Sequence, residues 1–343
     1  MVQKLYFNSS QNSELTNRIF NLIENAESYI KTGNFLFQDP QLNEALIAAA
    51  ERGVAIFVIS NLKGEQVQRK NDSETDPHIP HLHELHRRGI HVHLCNDLHA
   101  KFLIVDGKEG LIMSANYSHN SLYRNPENGL DIIDEELHDL EYLFDVLFTH
   151  QDAVLSEDNN KYRYLLTSKP IESNLLKDIG KNSKLIFTAK SEKNDNLKDC
   201  SYTSIYKTIV EIVNSAEEYL VIVSWSYNKI HKLQLIRDAV SRAIERGVNV
   251  TVLYCSEMEN DKLERTIKQL PLLVGKKYVE LCCRPFQANH SKCVLSENKG
   301  AIFTANIDGS RGLLSGFELG CILSEKQREQ AYCRINQMLN NEK

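Results

Sequence analysis

Two stretches share one layout: LHAKFLIVDGKEGLIMSAN from Leu98 to Asn116, and NHSKCVLSENKGAIFTAN from Asn289 to Asn306. The likeness extends well beyond them. KLYF at Lys4 matches KLIF at Lys184, NAESYI at Asn25 matches SAEEYL at Ser215, and ERGVAIFVI at Glu51 matches ERGVNVTVL at Glu245. With His99 against His290 (290 − 99 = 191) and Asn116 against Asn306, five pairs keep one order at offsets of 180, 190, 194, 191 and 190. A chain of 343 residues that repeats itself this way is a tandem duplication. Both halves must therefore adopt one fold.

Within each half, strand and helix patterns alternate. PQLNEALIAAAERG is a helix with Pro40 at its start and Gly53 at its end. VAIFVIS, from Val54, is the apolar β-branched run of a strand covered on both faces. HLHELHRRG reads as a short helix, IHVHL as a strand, and KFLIVDG and GLIMSAN as two strands joined by a tight turn. The second half follows the same order through SIYKTIVEIVNSAEE, YLVIVSWS, LQLIRDAVSRAIERG, VNVTVLYC, KCVLSE and GAIFTAN. This alternation indicates an α/β layered fold. The expected organisation is a first repeat over 1–156, a polar connecting segment over 157–183 and a second repeat over 184–343, the repeats related by a pseudo-twofold axis.

Hydrophobic residues make up 42% and charged residues 25% of the chain, ordinary for a folded protein. No apolar run reaches membrane-spanning length and the start lacks an apolar leader, so the expectation is a cytoplasmic protein without stable membrane insertion. The net charge of −6 argues against a generally basic nucleic-acid coat but leaves room for a local basic groove. The eight cysteines show no C-x-x-C pair and mostly sit in apolar runs, so they read as reduced thiols packed as small hydrophobes.

In HAKFLIVD the His and Lys stand two apart, so on a strand both side chains leave one face. His99 and Lys101 would then share a space with Ser114 and Asn116, and His290 and Lys292 with Thr304 and Asn306. If the two strand ends converge, one pocket holds two imidazoles, two ammonium groups, two carboxamides and two hydroxyls. That set suits a phosphodiester. Lysines and amides can stabilise charge on a five-coordinate phosphorus, one His can attack it, and the other can protonate the leaving oxygen. Each His needs an acceptor on its second nitrogen, and Glu127 in RNPENG and Glu318 in GFELG are available.

HAKFLIVD, followed by SAN and NPENG, resembles the phospholipase D superfamily motif H-x-K-x(4)-D, followed by a Ser/Gly-x-Asn element and a Glu. The resemblance covers both halves. It implies two tandem phospholipase D-like α/β sandwich repeats, a phosphohistidine intermediate, no metal or other cofactor, and one active site assembled from two motif copies. A single chain should then suffice. It assigns catalytic and phosphate-binding roles to His99, Lys101, Asn116, His290, Lys292 and Asn306, with Asp106 as the motif Asp and Glu127 and Glu318 orienting the histidines. The family's usual order makes His99 the nucleophile and His290 the general acid. Three departures stand out: Met113 precedes Ser114 where Gly is usual, Glu297 replaces the motif Asp in the second copy, and Thr304 stands where Ser114 does. A structural ion pair could survive the exchange at Glu297.

Other segments read more plainly. His83, His86, His91 and His93 could be drawn as a zinc site, but the other half has no counterpart, so a solvated helix and strand edge is the default. Lys63, Arg69 and Lys70 lie in a segment that reads equally as a polyanion guide or a surface loop. Lys262, Arg265 and Lys268 read as a solvated helical face, Trp225 as core or pocket wall, and Arg311, soon after Asn306, as a phosphate contact. Polar loops and the absence of an apolar entrance favour DNA or RNA as substrate. The leading expectation is a metal-independent nuclease, with DNA repair or anti-phage defence as a context drawn from the family's range. The alternatives are a phospholipase or phosphatidyltransferase acting on membrane lipid, and a nucleic-acid-binding module whose altered second motif has lost turnover.

Overall fold

The computed structural model describes residues 3–61, 78–158, 161–166, 169–191 and 195–341; the basic segment Lys63–Asp72 lies outside them. Seven strands of each half follow one spatial order. In the first half they are β1 (Leu5–Ser9), β2 (Tyr29–Asn34), β3 (Ala55–Asn61), β4 (His91–Cys95), β5 (Phe102–Val105), β6 (Glu109–Met113) and β7 (Glu127–Ile132), in the order β4-β3-β2-β5-β6-β7-β1. In the second half β8 (Leu185–Lys190), β9 (Tyr219–Ser224), β10 (Asn249–Cys255), β11 (Cys283–Phe286), β12 (Cys293–Ser296), β13 (Gly300–Phe303) and β14 (Gly316–Ile322) give β11-β10-β9-β12-β13-β14-β8. Each order combines two parallel pairings with an antiparallel meander. The duplication read from the sequence is therefore a duplication of topology.

The first sheet reaches ten strands through the short strand Asn12–Ser13 beyond β1 and a hairpin, Ala153–Asp158 with Lys161–Leu166, beyond β4. The segment expected to be plain connection from 157 onward thus holds half of a hairpin. The second sheet reaches eight through Tyr202–Thr203 beyond β8.

Helices α1 (Glu14–Glu24), α2 (Pro40–Glu51) and α3 (His78–Arg87) share a core with one face of the first sheet. In α2 the Asp39 carboxylate accepts the Leu42 amide at 2.9 Å, Pro40 occupies the first turn, and Gly53 takes a left-handed φ of 94° just past the end. After α4 (Asp134–Thr149), helices α5 (Ser204–Ser215), α6 (Gln234–Glu245) and α7 (Asn260–Val274) cover the second sheet in the same way. The opposite faces of the two sheets meet in a third core, to which α4 gives Leu140 and Phe144 and α8 (Glu325–Asn341) gives Ala331 and Ile335. Phe102 and Ile112 of the first half share this core with Cys293, Phe317 and Leu319 of the second. Burying that much apolar surface joins the halves into one unit.

The cysteines are free thiols; Cys95, Cys255, Cys293 and Cys321 are buried, while Cys333 is exposed. Met113 packs with Leu15 and Leu111 in the α1–α3 core, so it fills space there without narrowing a pocket. The His-rich stretch is occupied otherwise than by solvent alone: His91 stacks on Phe57 and His93 on Phe148, with ring centroids 5.2 and 3.6 Å apart.

Asp106 lies just beyond the end of β5 away from His99. Its carboxylate accepts the amides of Glu27, Ser28 and Tyr29 at 3.0, 2.8 and 2.8 Å. Glu297 accepts the amides of Glu217, Glu218 and Tyr219 at 2.7, 3.2 and 3.1 Å. The ion pair considered for Glu297 is replaced by backbone amides. At Asp106 and Glu297 alike, partial burial works against the charge, but the amides outweigh it and hold both carboxyls below their ordinary range. The longer Glu stem makes the same anchor from a turn one residue shorter. Asp106→Ala should lower unfolding stability by about 1–2 kcal/mol in urea titrations while activity per folded molecule stays near wild type; a selective loss of activity at unchanged stability would assign Asp106 a chemical role instead.

Candidate active site

His99 and Lys101 lie just ahead of β5, and His290 and Lys292 just ahead of β12, not within the strands. The alternation survives because the chain is still paired there: Lys101 O accepts the Met113 amide at 3.0 Å and Lys292 O accepts the Phe303 amide at 3.2 Å. Running antiparallel to β2 and β9, these lead-ins reach the carboxyl ends of the parallel strands, where open α/β sheets form their crevices.

The halves then exchange partners. The amides of His99 and Ala100 both donate to Phe317 O at 3.0 Å, and the amide of His290 donates to Pro126 O at 2.9 Å. Each backbone link places an imidazole beside a carboxylate of the other half. His99 Nδ1 lies 2.8 Å from Glu318 Oε1, and His290 Nδ1 lies 2.7 Å from Glu127 Oε1. The second oxygen of each carboxylate accepts a hydroxyl, Ser114 on Glu127 and Thr304 on Glu318. Reciprocal contacts of this kind are the signature of a twofold relation. With Nδ1 engaged, Nε2 of each ring is left for chemistry.

Lys101 and Lys292 are fully buried, their ammonium groups donating to the carbonyls of His99 and His290. Burial pushes Lys101 down to about 7 and Lys292 down to about 8. Glu318 and Glu127 oppose the shift, and for Lys101 the neighbouring Lys292 charge adds to it. Burial likewise lowers His99, to about 4, and lowers His290, in each case against the pull of the partnered Glu. Both carboxyls are held below their usual range: burial opposes ionisation, but the facing His and nearby Lys outweigh it. The Lys292 charge lowers Lys101 and His99, and the Lys101 charge lowers His290, so each half-site feels the other's ammonium group. The Oδ1 atoms of Asn116 and Asn306 are enclosed yet have no partner among the described residues, leaving both carboxamides for a ligand.

A cavity of about 850 Å³ opens onto His99, Asn306 and Glu318. Arg311 lines it, and Trp225 forms part of its wall. Lys262 and Arg265 do not belong to a wholly solvated face: both line the cavity, and Lys262 Nζ lies 5.5 Å from the Trp225 ring centroid. Phe35 was not singled out in the sequence. It stands edge-on to His99 at 5.1 Å, as Trp225 does to His290 at 6.0 Å. The duplication carries the missed signal, since Phe35 and Trp225 are also 190 residues apart.

Because Lys101 and Lys292 carry full charge only below about 7 and 8, an anion binds best at low pH and must draw in protons as pH rises. Sulfate, as a competitive inhibitor, should weaken at least about tenfold between pH 7 and 9; a pH-independent inhibition constant would contradict this arrangement.

Residues 19–147 match the family described as cardiolipin synthase, PLD-like domain. Phosphatidylserine synthase from Haemophilus influenzae Rd KW20 shares the fold, with 14% identity over 98% of this chain and 85% of that one and a TM-score of 0.64. Polyphosphate kinase from Porphyromonas gingivalis aligns at 14% identity over 98% of this chain and 50% of that one, with a TM-score of 0.57. A phospholipase D family member, Nuc from Salmonella typhimurium, aligns at 17% identity over 48% of this chain and 100% of that one, with a TM-score of 0.37. No curated protein matches the chain in sequence.

Proposed function

We propose that the chain, which carries a PLD-like domain of the phospholipase D superfamily at residues 19–147, is a metal-independent phosphodiesterase that hydrolyses nucleic acid. One observation carries the reading: two imidazoles each meet, through Nδ1, a buried carboxylate of the other half, and His99 with its partner Glu318 opens onto a polar cavity.

His99, the more exposed of the two rings at 23% against 13%, attacks phosphorus through Nε2. The neutral state that burial enforces is the one a nucleophile needs. As the P–N bond forms, the bond to the leaving oxygen breaks and that oxygen takes a proton from His290 Nε2. The anionic diester between the rings favours the protonated form of His290 that this step requires. Water then attacks the phosphohistidine, passing its proton to His290, and the P–N bond breaks. Lys101, Lys292, Asn116 and Asn306 donate to the non-bridging oxygens throughout. Glu318 and Glu127 fix the ring tautomers and stabilise the positive charge each ring acquires. Arg311 meets a neighbouring phosphate.

The cavity's surroundings favour nucleic acid over lipid. Its rim carries Asn61, Asn96, Asn228, Lys262, Arg265 and Arg311. Among the described residues the most exposed large apolar side chains, such as Leu281 and Leu235, lie away from it. A lipid site would offer an apolar entrance.

With bis(4-nitrophenyl) phosphate in excess EDTA, whose leaving group needs no proton, His290→Ala should release about one equivalent of nitrophenolate in a burst and then stall. His99→Ala should give no burst. Glu127→Gln should keep the burst but slow the steady state, whereas Glu318→Gln should slow the burst by about 10²-fold. Equal bursts from both histidine variants would overturn these roles, and activity that depends wholly on one added metal would overturn the mechanism. Labelled DNA, RNA and phospholipid vesicles, incubated side by side in EDTA, test the substrate: cleaved nucleic acid with intact lipid is expected, and headgroup release alone would assign a lipid enzyme.

A further inference from the structure

The duplication makes the two halves of the site alike, yet the cavity beside them is not symmetric. Among the described residues, fourteen of its twenty wall positions come from the second half, including Trp225, Lys262, Arg265 and Arg311. Trp225 is half-buried, at the end of β9, and occupies the place that Phe35 holds after β2. Lys262 approaches its ring, and the two arginines stand exposed on the same wall.

The cavity also contains acids, most of whose carboxylate oxygens are already engaged. Asp97 Oδ2 accepts Ser191 Oγ at 2.9 Å. Asp308 Oδ1 accepts the Ser310 amide and hydroxyl, each at 2.7 Å, and its Oδ2 accepts Asn228 Nδ2 at 3.2 Å. Arg311, by contrast, forms no ion pair among the described residues, and Arg265, which lines the cavity, gives one Nε bond to Asp261 O at 2.9 Å and has no other guanidinium partner among the described residues. The wall therefore presents one wide aromatic surface with uncommitted guanidinium donors beside it.

Resting on the nuclease reading, the geometry points to a nucleotide subsite built by the second half alone: the base next to the scissile phosphate stacks on Trp225, and its flanking phosphate is held by Arg265 and Arg311. An aromatic face can be covered only by a base that has left its own stack, so the substrate is single-stranded or locally unpaired. The volume of about 850 Å³ is that of a small-molecule site, which admits such a nucleotide. The substitution of Trp225 for the smaller Phe35 is where the duplicated halves have parted.

Trp225 is the only tryptophan in the chain, so its fluorescence reports this wall directly. Titrating full-length His99→Ala with a thymidine decamer should quench the emission saturably, and the matched duplex should not. In a kinetic test, thymidine 5′-(4-nitrophenyl phosphate) and methyl 4-nitrophenyl phosphate share one leaving group. Wild type should prefer the nucleoside ester in kcat/KM by tenfold or more, and Trp225→Leu should bring that ratio near one. Retention of the ratio in Trp225→Leu, or equal quenching by single and double strands, overturns the subsite. Cleavage of oligonucleotides without any quenching also removes it while leaving the nuclease reading intact. Intact nucleic acids with released lipid headgroup remove both.

Discussion

Each motif histidine is held by a carboxylate that belongs to the other repeat. His99 rests on Glu318 and His290 on Glu127, and the backbone bonds to Phe317 and Pro126 bring each pair into register. Neither half alone can orient its own imidazole. The core shared by the inner sheet faces is therefore a condition of the site's geometry as well as of stability, because it holds two His–Glu contacts of less than 3 Å across the boundary between halves. Small shifts between the repeats would misplace both rings together.

That exchange also concentrates charge where water is scarce. Two glutamates, two lysines and two histidines occupy one buried neighbourhood, and the protein resolves the cost by keeping the carboxylates ionised while burial weakens the bases. The resting site thus holds depressed ammonium and imidazole groups with unpartnered carboxamides nearby. An anionic diester, as proposed for this site, would supply the missing counter-charge, and the groups would gain protons and hydrogen bonds on its binding. Electrostatic preorganisation of this sort acts on a transition state without reorganising the surroundings.

Around this symmetric centre the duplicated halves have diverged. Glu297 reproduces the Asp106 anchor with a longer stem and a shorter turn, which explains why the motif's acidic position tolerates the exchange: it binds backbone amides away from the pocket. Trp225 replaces Phe35, and α7 brings Lys262 and Arg265 to the cavity. The His, Lys, Asn and Glu positions stayed alike in both copies, while the cavity wall beside them did not.

Much of this was written locally. The repeat offsets, the strand and helix periods, Pro40 and Gly53 around α2, and the two His-x-Lys pairs with their Ser/Thr and Asn followers depend on residues close in sequence, so the sequence by itself determined a duplicated α/β chain with two His-x-Lys motifs. Glu127 and Glu318 could be named from it as well, but not which histidine each one meets. The crosswise pairing, the enclosure that lowers Lys101 and Lys292, and the turn of Lys262, Arg265, Phe35 and Trp225 toward one cavity were decided only by the tertiary structure. The reason is physical: they follow from how two sheets settle against each other across one apolar core, and no pattern within a single strand or helix encodes that relation.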